Sequence, residues 1–318
     1  MNGIDGLLTS RTASLLEEAK SLARDKSIAF RVMQDEVLLK TSAGAAATET
    51  PEEGIVIHLD PSRATEMAVA HELLHVIIHY SGWPQMYGMI GLDRIAKRFA
   101  DAIDNTLDHH VFNPRLKEMG FDLDSYYQWR VKCLDDWPVA DRTGPRLVVN
   151  AANILDTMLF GKAYREAAIR VLRIKQPSVV AMARKLEGLT QPARSRTRRG
   201  VRQAMVVTLD YLNRWMSEQT GQPALLRQRI GVSPVFSSDE LARPAIELVE
   251  LVSHQATVED KNLWIVALQL RSDKVRFRTY LSYDEREPTD AKKDLQQRLA
   301  SLTLRDLLQT ESVRFGVL

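Results

Sequence analysis

Cysteine is almost missing from this chain: Cys133 stands alone among 318 residues. One thiol cannot close an intramolecular disulfide, so no disulfide framework is available, and a reducing, cytoplasmic setting is expected. Long apolar runs are missing too, since no stretch approaches the ~20 residues that a membrane-crossing helix needs. The opening Met-Asn-Gly-Ile-Asp has neither the basic start nor the apolar core of a secretory signal, so no leader is expected. Net charge is nearly absent: 43 Lys and Arg against 41 Asp and Glu leave +2. That total is too small to imply nucleic-acid binding, and where the charge sits says more than its sum. No internal repeat is visible. What is present is ordinary, 45% hydrophobic and 26% charged, at a length that allows two domains or one with a substantial appendage.

Against that background the pentapeptide His71-Glu72-Leu73-Leu74-His75 is the most informative feature. On a helix, two histidines four residues apart project from one face, one turn apart. A carboxylate lies beside the first. A zinc hydrolase needs this set: two neutral nitrogen ligands, an open position for water and a base for the water's proton, here Glu72. The flanks Ala68, Val69, Leu73, Leu74, Val76, Ile77 and Ile78 are apolar, so the helix is expected to be buried. Chance matches and hydrogen-bonded core histidines are the bland alternative. A buried helix must satisfy three polar groups, however, and a metal does so. His79 extends the series by a further turn, too far along to join the same ion, and is read as structural or supporting.

Residues 10–25 read as a capped amphipathic helix, and Ile28–Met33 and Val37–Lys40 as short strands. Ser42–Glu53, rich in Ala, Thr and Glu, reads as an exposed loop, and Gly54–Asp60 as a strand beside the site. Asp60, Pro61 and Ser62 are expected to open the motif helix, and Ser81-Gly82-Trp83-Pro84 to break it. A second helix is predicted from about Leu92 to Phe112, and further helical patterns at 148–160, 162–173, 177–187 and 202–218, then turn-rich sequence to about 240. Two strand-like runs, LWIVALQL and KVRFRTYLSY, flank Arg271-Ser272-Asp273 as a hairpin, and a last helix covers roughly 290–309. The resulting fold class is α+β: a mostly helical, zincin-like domain with a small N-terminal sheet at 1–185, then a smaller α+β sensor-like domain at 186–318.

Two histidines leave a zinc site one protein ligand short, and the second helix is where to look. At about 100° per residue, Ile103, Leu107 and Val111 share one face, while Asp101, Asp104, Asn105, Asp108 and His109 share the other. A solvated acidic face is the bland reading. Asp104 as ligand, with Asp108 orienting an imidazole, is the favoured assignment; His109 is its rival. For the oxyanion of a cleavage reaction, Tyr126, Tyr127 and His110 are all candidate donors.

With these elements in view, residues 20–135 or so resemble the ImmA/IrrE family of metallopeptidases. The specific parts are GIVIHLD, AHELLHVIIH and DAIDNTLDHHVFNP. The resemblance implies zinc as cofactor and a helix-turn-helix repressor as protein substrate, in phage, mobile-element and DNA-damage responses. The family's usual glutamate ligand on the second helix is not present as Glu here, so aspartate or histidine must replace it. A narrower resemblance is to the repressor-cleaving peptidases encoded beside bacterial anti-phage signalling operons. It implies single-stranded DNA as stimulus and a cysteine that occupies the metal's open position, for which Cys133 is the sole candidate; the bland reading of Cys133 is a small buried hydrophobe.

A reading of a different class is a nucleic-acid-binding regulator with a structural metal. It rests on Gln191–Gln203, which holds five arginines and no acid, with Arg194, Arg196, Arg198 and Arg199 as phosphate contacts. The run Lys274, Arg276, Phe277, Arg278, Tyr280 adds strand aromatics that could stack bases. A solvated loop and an ordinary strand face are the bland counterparts.

Overall fold

The β-branched run at 54–59 forms the middle strand of a sheet in the computed structural model of the chain, which describes residues 6–24, 26–32, 45–50, 52–88, 94–136, 145–222, 224–258, 261–282 and 288–318. Strand β1 (Ile28–Val32) pairs in parallel with one edge of β3 (Gly54–Leu59), and β2 (Ala45–Thr50) pairs antiparallel with the other. Ile55, Val56 and Ile57 are successive and all buried, as a strand covered on both faces requires. The strand β2 corrects the loop expected at 42–53. Its Ala, Thr and Glu composition is a weak strand former, but β3 offers a row of backbone groups that need partners, and pairing outweighs propensity. The strand expected at Val37–Lys40 lies outside the described residues.

Helix α1 (Ser10–Ala23) is capped by Thr9, and α2 (Glu66–Tyr80) carries the motif. The start of α2 differs from expectation. Asp60 instead closes a turn, its Oδ1 accepting the Ser62 N–H at 2.9 Å and the Ser62 hydroxyl at 2.7 Å. The same residue types suit a cap or such a turn, and the cap falls at Thr65, which accepts the Ala68 N–H at 3.2 Å. The core face of α2 is fully buried, with Leu73 at 0% and Leu74 at 1% exposure.

After β4 (Met86–Gly88), helix α3 runs from Arg94 to Glu118, well past the expected end at Phe112. It does so through Pro114. A mid-helix proline donates nothing to the carbonyl four residues back, here that of His110. Arg196 supplies the missing donor, its Nε reaching the His110 oxygen at 3.0 Å. Arg196→Met should therefore lower stability by about 1 kcal/mol, tempered because water can reach the carbonyl. Urea melts can compare it with Arg199→Met, which removes only an exposed ion pair and should change little.

The remaining helices follow the apolar periodicity: α4 (Leu123–Cys133), α5 (Pro145–Phe160), α6 (Lys162–Lys175) and α7 (Pro177–Leu189). The arginine-rich segment is ordered, a 3-10 turn over Gln191–Ser195 leading into α8 (Arg198–Thr220). That helix starts four residues before the expected 202 because Thr197 caps it, accepting the Gly200 N–H at 3.1 Å. Short elements follow: α9 (Leu226–Arg229), β5 (Ile230–Val232), β6 (Val235–Phe236), α10 (Ser238–Ala242) and α11 (Ala245–Leu248). Strands β7 (Val249–Val258), β8 (Lys261–Leu270) and β9 (Arg276–Ser282) form an antiparallel sheet, with the expected turn between the last two. The helix expected at 290–309 is cut into α12 (Thr289–Ser301) and α13 (Leu304–Thr310). Leu302 is extended there, and Thr303 recaps the chain by accepting the Asp306 N–H at 3.2 Å. Strand β10 (Gly316–Val317) pairs with β6, and Leu268, Phe277, Leu304, Leu307 and Leu308 anchor a core in this part.

The chain is thus α+β and mostly helical. It divides into two compact units, residues 1–81 with 111–126, and 82–110 with 127–318. Helix α3 contributes its first part to one and its second part to the other. The point 185/186 lies inside α7. Among the described residues no helix is long and apolar enough to cross a membrane.

Candidate metal centre

The two motif imidazoles face one another on α2, their Nε2 atoms 3.2 Å apart. Two nitrogens bound tetrahedrally to one zinc at 2.0–2.1 Å would stand roughly 3.3 Å apart. The pair is therefore spaced as two ligands of a single ion. Phe112 of α3 braces both rings edge-on, with centroids 5.2 Å from His71 and 4.9 Å from His75. His109 lies one turn before Phe112 on the same unbroken helix, so the two share a face. One ligand atom from each of His71, His75 and His109 lies within 4.8 Å of the others. These three histidines can hold a metal ion.

Among the described residues this group includes the rival His109 and neither Asp104 nor Asp108. Asp104 sits five residues earlier, about 7.5 Å back along the helix axis. There its Oδ1 accepts the Met86 N–H of β4 at 3.0 Å. Burial and the neighbouring Asp108 hold its carboxyl well above the usual range. Burial likewise pushes Asp108 up to about 7.

Glu72 is anchored by the edge strand: its Oε2 accepts the Ala47 N–H of β2 at 2.9 Å. Its other oxygen, Oε1, lies 3.9 Å from His71 Nε2. Burial raises its carboxyl, opposed by the charge of His75 and the Ala47 N–H. A carboxylate tuned upward in this way is better matched to accepting a proton near neutral pH. His79 stands apart from the group, 3.6 Å from Glu49 of β2.

Asp156 was not among the expected site residues, yet it touches the third histidine. Its Oδ2 is 2.9 Å from His109 Nδ1, and both side chains are only 3% exposed. Arg130 Nη1 donates to the same oxygen, and the Tyr127 hydroxyl donates to Oδ1 at 3.0 Å. Burial alone would raise this carboxyl, but the charges of His109 and Arg130 and the hydrogen bonds hold it at about 2. A signal was present in the sequence. Asp156 is the one charged residue in the apolar run ANILDTMLF, and a buried charge must be paired.

Of the expected oxyanion donors, Tyr127 is 1% exposed, stacked on Phe160 with centroids 3.8 Å apart, and its hydroxyl is committed to Asp156. Burial and the nearby Arg196 and Arg194 push His110 down to about 4. Tyr126 is half-buried on α4. Cys133 is half-buried at the end of α4 and is not part of the metal group.

The arginines of 194–202 are each engaged within the fold. Arg194 and Arg199 lie 3.9 Å and 3.6 Å from Glu187 and Glu240. Arg196 bonds the His110 carbonyl, and Arg198 the Val317 carbonyl. Arg202 reaches the Ser233 carbonyl at 3.1 Å and pairs with Asp273. On β9, Phe277 is 2% exposed, and Tyr280 is half-buried with its hydroxyl bonded to Glu311. Compared with protein-family models, curated proteins and solved structures, the chain matches none.

Proposed function

We propose that this chain is a zinc-dependent endopeptidase of zincin-like architecture that cleaves a protein partner. The observation that carries the reading is a half-buried Glu72 beside two imidazoles at ligand spacing, with His109 as the third nitrogen donor. Three protein ligands and one open position are what catalytic zinc sites use, and the soft, neutral nitrogen set suits zinc better than magnesium or calcium. A zinc ion held there supplies Lewis acidity that polarises a carbonyl and acidifies water towards a pKa of ~7. Glu72 Oε1, the oxygen not engaged by Ala47, accepts a proton as water adds to the scissile carbonyl carbon. The C–N bond then breaks, and Glu72 returns that proton to the departing amine.

A helix-turn-helix repressor is the substrate class that the ImmA/IrrE resemblance of residues 20–135 supports, in an anti-phage or DNA-damage response. A cytoplasmic site of action fits the single cysteine. For the nucleic-acid regulator, Arg196 and Arg198 bond carbonyls of the fold, while Arg194 and Arg199 keep more than half of their side chains exposed beside Glu187 and Glu240.

Metal content tests the proposal. Wild-type protein purified without chelator should carry about one zinc per chain. His71→Ala, His75→Ala and His109→Ala should each lose it, while Asp104→Ala should keep it. Metal-free wild type would overturn the reading. Loss of metal from Asp104→Ala with retention by His109→Ala would overturn the ligand set.

A further inference from the structure

Resting on the metal-site reading, we infer that Asp156 is the positioning residue of the third ligand, fixing His109 so that Nε2 is presented to the ion. A neutral imidazole can carry its proton on either nitrogen, and only the other nitrogen can bind a metal. Asp156 Oδ2 lies 2.9 Å from Nδ1, near enough for its charge to keep the proton on that nitrogen and leave the Nε2 lone pair for coordination.

The carboxylate is itself immobilised. Tyr127 holds Oδ1 at 3.0 Å, while Arg130 holds Oδ2 through Nη1 and ties Nη2 to the Asn153 carbonyl at 3.0 Å. One turn earlier on both helices, Thr106 Oγ1 of α3 donates to the Ala152 carbonyl of α5 at 3.1 Å. That bond sets the two helices in register at the level where His109 meets Asp156. The pair is buried, which strengthens the interaction between them. Arg130 and Tyr127 secure the carboxylate.

The experiment measures zinc affinity by competition with a chromogenic chelator, alongside thermal melts, in the full chain. Asp156→Asn should weaken zinc binding about 10–100-fold, because the amide loses the charge that polarises Nδ1–H. Tyr127→Phe and Arg130→Met separate positioning from general loosening. They should lower the melting temperature while shifting zinc affinity far less than Asp156→Asn does. Nitrogen NMR of His109 in the zinc-free protein should show the Nδ1–H tautomer in wild type and a mixture in Asp156→Asn. Wild-type zinc affinity in Asp156→Asn would overturn the inference and leave the metal reading standing. Equal affinity losses in Asp156→Asn and Arg130→Met would overturn it too, since that pattern marks a purely structural role. Absence of zinc binding by wild type would instead overturn the metal reading and the inference with it.

Discussion

Glu72→Gln should leave zinc content unchanged and reduce cleavage of the protein partner by about 10²–10⁴-fold. Gln has the size of Glu, and its amide oxygen can still accept the Ala47 N–H that anchors Oε2. The side chain therefore keeps its place against β2. What it loses is the ability to take a proton, because an amide is not a base at neutral pH. Folding should be little disturbed, since burial already disfavours the charged form of Glu72. The measurement pairs turnover of the partner with metal analysis of the same preparation. Full cleavage by Glu72→Gln would remove Glu72 from the chemistry, and loss of metal would make it structural.

The largest effect on stability is expected from Gly316→Ala. A Cβ at this position would collide with the backbone oxygen of Gly82 and stand 3.2 Å from both Arg198 Cδ and Val235 Cγ2. A side chain can swing away from such a clash, whereas a backbone carbonyl can move only with its strand or turn. Gly316 is also pinned from its other side, its N–H donating to the Pro234 carbonyl at 3.0 Å as β10 pairs with β6. The loss should reach or exceed the usual overpacking range of about 1–3 kcal/mol. Gly188→Ala is the control. It lies in α7 with nothing within 4 Å of the new Cβ, and should be neutral or stabilise by about 0.4–1 kcal/mol. Denaturant midpoints of the two variants should therefore move in opposite directions, or one should move while the other stays.

The motif helix was legible because its apolar flanks and its ligand spacing point to the same buried element. The third ligand was only half legible. Periodicity places Asp104, Asp108 and His109 on one side of α3, but it gives angle and not depth. Which of them meets His71 and His75 depends on where along its axis α3 is braced, and Phe112 marks that level. Asp156 shows a different gap. Its apolar surroundings say that it must be paired, yet its partner lies on another helix far away in sequence. Strands β8 and β9 announced themselves through β-branched and aromatic residues around a polar turn, while β7, with Ser253, His254 and Gln255 in its middle, has no such pattern and exists because β8 pairs with it. The local partners of the arginine run were not legible for a composition-level reason: a count of charges does not reveal which carbonyls and carboxylates lie nearby.

Helix α3 also dictates an order of events during synthesis. Both compact units are discontinuous in sequence, so neither can be finished as the chain emerges in order. The unit built on residues 1–81 waits for 111–126, and until α3 is made the motif histidines have no Phe112 beside them. Asp156 arrives later still. An ion held by the three histidines would consequently load only on a chain that already includes α3, and a nascent fragment ending soon after α2 would carry the motif without His109.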